Sequence, residues 1–145
     1  MFNYQKFEKD FIEAWNSHDI EYLLSFYTDE LVYIHPGEHP RVIKGKEQFK
    51  KYLEVFFETF PDYKFELINV AWNDNIGFGE WIGRSTFNGK RYGLEIKNKK
   101  FEIMGVDILI IDKEKELVKE ERVYYNLLSV LEQICKNLEV KCKDE

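Results

Sequence analysis

The chain has 145 residues, 44% of them hydrophobic, and 27 acidic against 21 basic side chains give a net charge of -6. That length suits one domain with a real core, so a single domain over residues 1–145 is expected. The acidic balance speaks against nucleic acid or an anionic membrane as partner, since both require clustered positive charge. No apolar run approaches a membrane span, and the start MFNYQKFEKD has no signal-peptide layout, so a cytoplasmic protein is expected.

The first predicted element is a helix in which Phe7, Phe11, Ile12, Ala14 and Trp15 recur at helical spacing, stopped by Asn16-Ser17-His18-Asp19. A short second helix carries Leu23, Leu24, Phe26 and Tyr27, and Leu31 to His35 reads as a strand broken by Pro36-Gly37. The loop from His35 to Pro40 holds two of the three histidines, His35 and His39, which suits the wall of a site. Lys46 to Phe60 reads as a third helix, closed by Pro61-Asp62. Four extended segments follow: Tyr63 to Trp72, Gly77 to Phe87, Lys99 to Asp112 and Leu117 to Leu127. Asn88-Gly89 is the strongest short hairpin signal, and it leaves Arg91 to Asn98 open between an extra strand and a lid. Leu127, Leu128, Val130, Leu131 and Ile134 finish the chain as a helical tail.

Helices followed by a run of strands indicate an α+β fold in which an antiparallel sheet curves over three N-terminal helices and leaves a cone-shaped pocket. The most apolar strand, Met104 to Asp112, alternates Met104, Val106, Ile108 and Ile110 on one face with Gly105, Asp107, Leu109 and Ile111 on the other. Both faces are apolar, so both should be covered, by helices, a second protomer or a closed cavity. Asp107 in its middle must find a partner or protonate. Two readings stay open for it: an acid facing the cavity, or an ion pair with Arg84 or Arg122. The aromatic content, 12 Phe, 9 Tyr and 3 Trp, serves either a ligand-lined cavity or a thick core and dimer interface. Cys135 and Cys142 are expected as free thiols, and no ligand spacing points to a metal.

The succession F-I-E-A-W-N-S-H-D, L-L-S-F-Y-T-D-E, H-P-G, Pro61-Asp62, W-I-G-R-S-T, M-G-V-D-I-L-I-I-D and Y-Y-N-L-L-S-V-L-E-Q-I resembles the SnoaL-like polyketide cyclases. These belong to the nuclear transport factor 2-like superfamily, with ketosteroid isomerases and limonene-type epoxide hydrolases. The resemblance implies a conical α+β barrel, dimeric through the sheet, that binds a small-molecule ligand without a cofactor. It also marks departures. Where the cyclases follow a paired aromatic with a general acid/base Asp, Tyr124-Tyr125 is followed by Asn126, and Phe87 stands where a His is often found. Measured against ketosteroid isomerase, His35 takes the place of the base, Asp107 that of the oxyanion-donating acid, and Phe11 that of the Tyr donor. Against the epoxide hydrolases, Gly105 replaces the Arg.

The expectation is therefore a pocket for a small apolar carbonyl or cyclic molecule. His35 would abstract a proton, and Asp107 and Asn126 would stabilise the oxyanion. His39, Trp72, Trp81 and Tyr124 are the expected ligand contacts. The competing reading is a non-catalytic binding or accessory module of the same fold.

Overall fold

A computed structural model describes residues 1–139 and 141–143. The element order is α1 (Tyr4–Ser17), α2 (Ile20–Leu24), β1 (Tyr27–Ile34), β2 (Val42–Lys44), α3 (Lys46–Thr59), β3 (Lys64–Asn73), β4 (Ile76–Arg91), β5 (Leu94–Asp112), β6 (Leu117–Tyr125) and α4 (Leu127–Ile134). No helix among the described residues is long and apolar enough to cross a membrane.

The strands form one six-stranded sheet in the order β2-β1-β6-β5-β4-β3. All neighbours are antiparallel except β1 and β6, which run parallel. The helices form where apolar periodicity and caps coincide. Asn3 caps α1 by accepting from Lys6 N, and Asp19 caps α2 by accepting from Tyr22 N. Helix α1 buries Glu8, Phe11, Ile12, Ala14 and Trp15, and α3 buries Phe49, Leu53, Phe56 and Thr59. These faces meet the concave side of the sheet, where Trp81, Phe87, Phe101, Leu109 and Val123 are buried.

Strand β5 separates its two faces more sharply than its composition suggests. Gly105, Asp107, Leu109 and Ile111 are buried inward, whereas Met104 is 62% exposed and Val106, Ile108 and Ile110 are only half-buried on the convex side.

The hairpin between β4 and β5 corrects the turn expected at Asn88-Gly89. The strands run four residues further, to a two-residue turn at Tyr92-Gly93, where φ is 56° and 74°. Positive φ at both central positions matches the right-handed twist of the flanking strands. Asn88-Gly89 instead falls at a shift of register, where Asn88 alone stands opposite Lys97 and Asn98 of β5 and Asn98 takes a φ of 51°, so the place is a bulge rather than the reversal. The open segment Arg91 to Asn98 is thus the hairpin tip and the start of β5. Strand β2, three residues long, had no expectation attached to it.

Glycines on the concave side admit bulky neighbours. A Cβ on Gly105 would run into the Trp81 indole and the Tyr124 carbonyl, and one on Gly83 into the Tyr63 ring. Gly105→Ala is expected to cost roughly 1–3 kcal/mol by overpacking, read as a lower urea midpoint with an unchanged slope. An unchanged midpoint would show that Trp81 can move aside.

Candidate functional site

The cone holds a cavity lined mainly by aromatic rings together with His35, Glu38, Asp107 and Glu121. Its polar groups form two separate clusters, one at the sheet and one at the loop.

The sheet cluster is built from carboxyls without a cation. Asp107 Oδ1 accepts from Trp81 Nε1 at 2.8 Å. Neither arginine considered for it is nearby: Arg84 pairs with Glu66 and Glu102, and Arg122 with Glu120. Its partner is Glu121 on β6, fully buried, whose Oε1 accepts from the Tyr27 hydroxyl. Glu121 Oε2 receives no hydrogen bond from a fixed donor. Two facing carboxyls satisfy each other only with a proton between them. Burial, then the charge of Asp107, pushes Glu121 well above the usual carboxylate range. Burial also raises Asp107, while the hydrogen bonds of Glu121 and Trp81 pull it back. Of the two, Glu121 is the carboxyl whose protonated form burial favours the more strongly.

A third carboxyl, Glu8 of α1, is 1% exposed and packs against Gly79, the cross-strand partner of Asp107. Only a glycine leaves room there. Burial, and then Asp107, raises Glu8 to about 7.

The loop cluster centres on Glu38, between β1 and β2. Its Oε1 accepts from the Tyr125 hydroxyl at 2.6 Å, the Tyr92 hydroxyl at 2.8 Å and Arg91 Nε at 3.2 Å. Its Oε2 accepts from Arg91 Nη2 at 2.6 Å and the Tyr52 hydroxyl at 3.4 Å. His35 Nδ1 lies 3.0 Å from Oε2, within ion-pair distance but off the line of a hydrogen bond. Burial disfavours the Glu38 charge, but the His35 contact and the Arg91 cation outweigh it and hold the carboxyl well below its ordinary range. Arg91 sits 5.2–5.7 Å from the centres of Tyr52, Phe56, Phe60 and Tyr92. The three tyrosine hydroxyls stay protonated because burial, foremost, and the neighbouring carboxylate push them upward.

Among the expected site residues, His35, Asp107 and Trp81 line the cavity. His35 has its Nε2 2.6 Å from the Pro40 carbonyl oxygen and its Nδ1 beside Glu38, so neither ring nitrogen is free to face a ligand. The other four lie elsewhere. Asn126 is exposed and caps α4, its Oδ1 accepting from Ser129 N. Tyr124 is 44% exposed on the convex side, Trp72 packs on Tyr4 at the far end of β3, and His39 lies outside, on a surface groove.

Glu8, Glu38, Arg91 and Glu121 were missed. Glu8 stands at the same helical spacing as Phe11, Ile12 and Trp15, and Glu121 alternates in step with Val123 and Tyr125, so periodicity could have found both. Glu38 and Arg91 meet across 53 residues and leave no local signal.

The SnoaL-like polyketide cyclase family model matches residues 6–134. Among solved structures, a protein assigned as a SnoaL-like polyketide cyclase from Shewanella putrefaciens CN-32 superposes with a TM-score of 0.80 at 18% identity, covering 92% of this chain and 96% of that one. TsrD from Streptomyces laurentii gives 0.76 at 20% identity, over 92% and 97%. AclR of Streptomyces galilaeus, assigned as a hydroxylase, gives 0.73 at 16% identity, over 88% and 91%. Comparison with curated proteins gives no match. At these identities the structural likenesses establish the nuclear transport factor 2-like fold.

The raised Glu8 makes a prediction about stability. A carboxyl whose folded pKa exceeds its unfolded value binds its proton more tightly when folded, so stability falls as pH rises from about 4.5 toward 7. Glu8→Gln removes that component. It should exceed the parent in stability at pH 8 by more than about 1 kcal/mol and lose the advantage near pH 4, as read from urea titrations at both pH values. Equal stability at pH 8 would place the proton elsewhere.

Proposed function

The chain belongs to the SnoaL-like polyketide cyclase family, and we propose that it binds a small apolar carbonyl-bearing or cyclic molecule in the cone and acts on it by cofactor-independent proton transfer. The observation that carries this reading is the Asp107–Glu121 pair: two buried carboxyls lining an aromatic cavity, with no arginine or lysine paired to either. Such a pair holds an acid and a base side by side. Asp107, steadied by the Trp81 N–H, takes a proton from the carbon next to the ligand carbonyl. Glu121 gives its proton to the carbonyl oxygen, so that an enol forms with no net change in protons. Return of the proton to the same carbon exchanges it with solvent; in a ligand with a double bond β,γ to the carbonyl, its return to the γ-carbon, with the hydroxyl proton going back to Glu121, completes an isomerisation. The buried Trp15 Nε1, which has no acceptor, adds a donor for a ligand oxygen.

In this reading His35 is a positioning residue rather than the base. It orients Glu38, and through Glu38 the ring of tyrosines. Asn126 belongs to helix α4 and takes no part in the chemistry.

The test is exchange of solvent deuterium into the carbon next to the carbonyl of small aryl and alicyclic ketones, followed by NMR. Glu121→Gln and Asp107→Asn should each lower the rate at least a hundredfold, in the range general acid–base catalysis supplies, with near-ultraviolet circular dichroism unchanged. Ketone binding without exchange above that of the Glu121→Gln protein would leave a binding module in place of an enzyme.

The reading extends to a homodimer through the sheet. Met104 at 62%, Tyr124 at 44% and Phe78 at 42% exposure put apolar surface on the convex face, which favours coverage by a second copy. Met104→Glu should convert a sedimenting dimer to monomer; a monomeric parent protein would end this part of the reading.

A further inference from the structure

Outside the cone lies a second concavity whose charge runs against that of the molecule. Lys44 at the end of β2, Lys51 on α3 and Lys90 near the hairpin tip surround a surface groove. All three are exposed, and among the described residues none takes part in an ion pair. The one carboxylate lining the groove is Glu38, already neutralised by Arg91. Glu95 is the cross-strand partner of Lys90 but does not line the groove. Between the lysines the surface is apolar: Val42 and Val55, 44% and 53% exposed, with Pro40 and Leu127.

Groove and cone share a wall. Glu38, Tyr52 and Tyr92 line both, so a molecule long enough to occupy the two spaces would pass along these side chains. A protein with a net charge of -6 repels anions over most of its surface. Three unpaired lysines around an apolar floor reverse that locally and select negative charge. That arrangement suits a carboxylate on an apolar body: the exposed lysines meet its charge, and Val42, Val55, Pro40 and Leu127 meet its chain.

We propose that the groove holds the carboxylate end of a ligand whose apolar carbonyl end occupies the cone, so that the substrate class is a carbonyl compound with a carboxylate tail. This rests on the reading of the cone given above and narrows it. The two ends are recognised separately: the rings and the Asp107–Glu121 pair select the carbonyl end, and Lys44, Lys51 and Lys90 select the tail.

Titration calorimetry with two probes tests this. Dodecanophenone carries the aryl ketone and an alkyl chain alone, and 12-oxo-12-phenyldodecanoate adds the carboxylate at the far end of that chain. The intact protein should bind the acid about fivefold tighter than the ketone at low salt, with the preference shrinking at high salt. The Lys44→Gln/Lys51→Gln/Lys90→Gln protein should lose the preference while binding dodecanophenone as before, which also shows that it is folded. Equal affinity for the two probes, or a preference that survives the triple substitution, overturns the groove assignment and leaves the cone reading untouched. Binding of neither probe overturns both.

Discussion

A carboxyl in the middle of the most apolar strand sets the terms for the rest of this molecule. Asp107 points into the cone with no arginine or lysine beside it, so its burial must be met by protons and dipoles rather than by an opposite charge. Trp81 meets it with an indole N–H, burial favours the neutral form of the neighbouring Glu121, and Tyr27 supports Glu121 in turn. These requirements reach into the backbone. Gly105 is bare because the Trp81 ring lies over it, and Gly79 is bare because Glu8 does. Two of the side chains gathered around this acid, Trp81 and Glu8, thus each require a glycine beneath them.

The loop end of the cone meets the same cost differently. Glu38 is charged and saturated: arginine, three tyrosines and a histidine surround it from the loop, α3, the β4–β5 tip and the end of β6. Removing one partner would leave the others with a buried ion to satisfy. The sheet cluster is short of donors, whereas the loop cluster is rich in them. That contrast, rather than the presence of acids alone, separates the two ends of the cavity.

Much of the fold was legible because it rests on periodicity. Phe11, Ile12 and Trp15 announce α1, and Phe49, Leu53 and Phe56 announce α3, since a helix must turn its apolar residues to one side. Asp107 was legible as an anomaly in an apolar run. The hairpin tip was not. Asn88-Gly89 has the better local turn chemistry, yet pairing of β4 with β5 continues past it and places positive φ on Tyr92, a residue that local preference would not choose. The site was legible only where it lay on a repeating element. Asn126 and Tyr124 follow the paired-aromatic pattern in sequence, but the strand ends at Tyr125 and the amide goes to capping the next helix.

The place of Arg91 and Tyr92 at the end of a long two-stranded arm has a consequence for how such proteins diversify. Asp107 lies on this arm far from its tip, and Arg91 and Tyr92 lie at the extremity. Resequencing the extremity would alter the surroundings of Glu38 and leave the hydrogen bond between Trp81 and Asp107 in place. The two ends of the cavity are therefore free to vary separately within one fold.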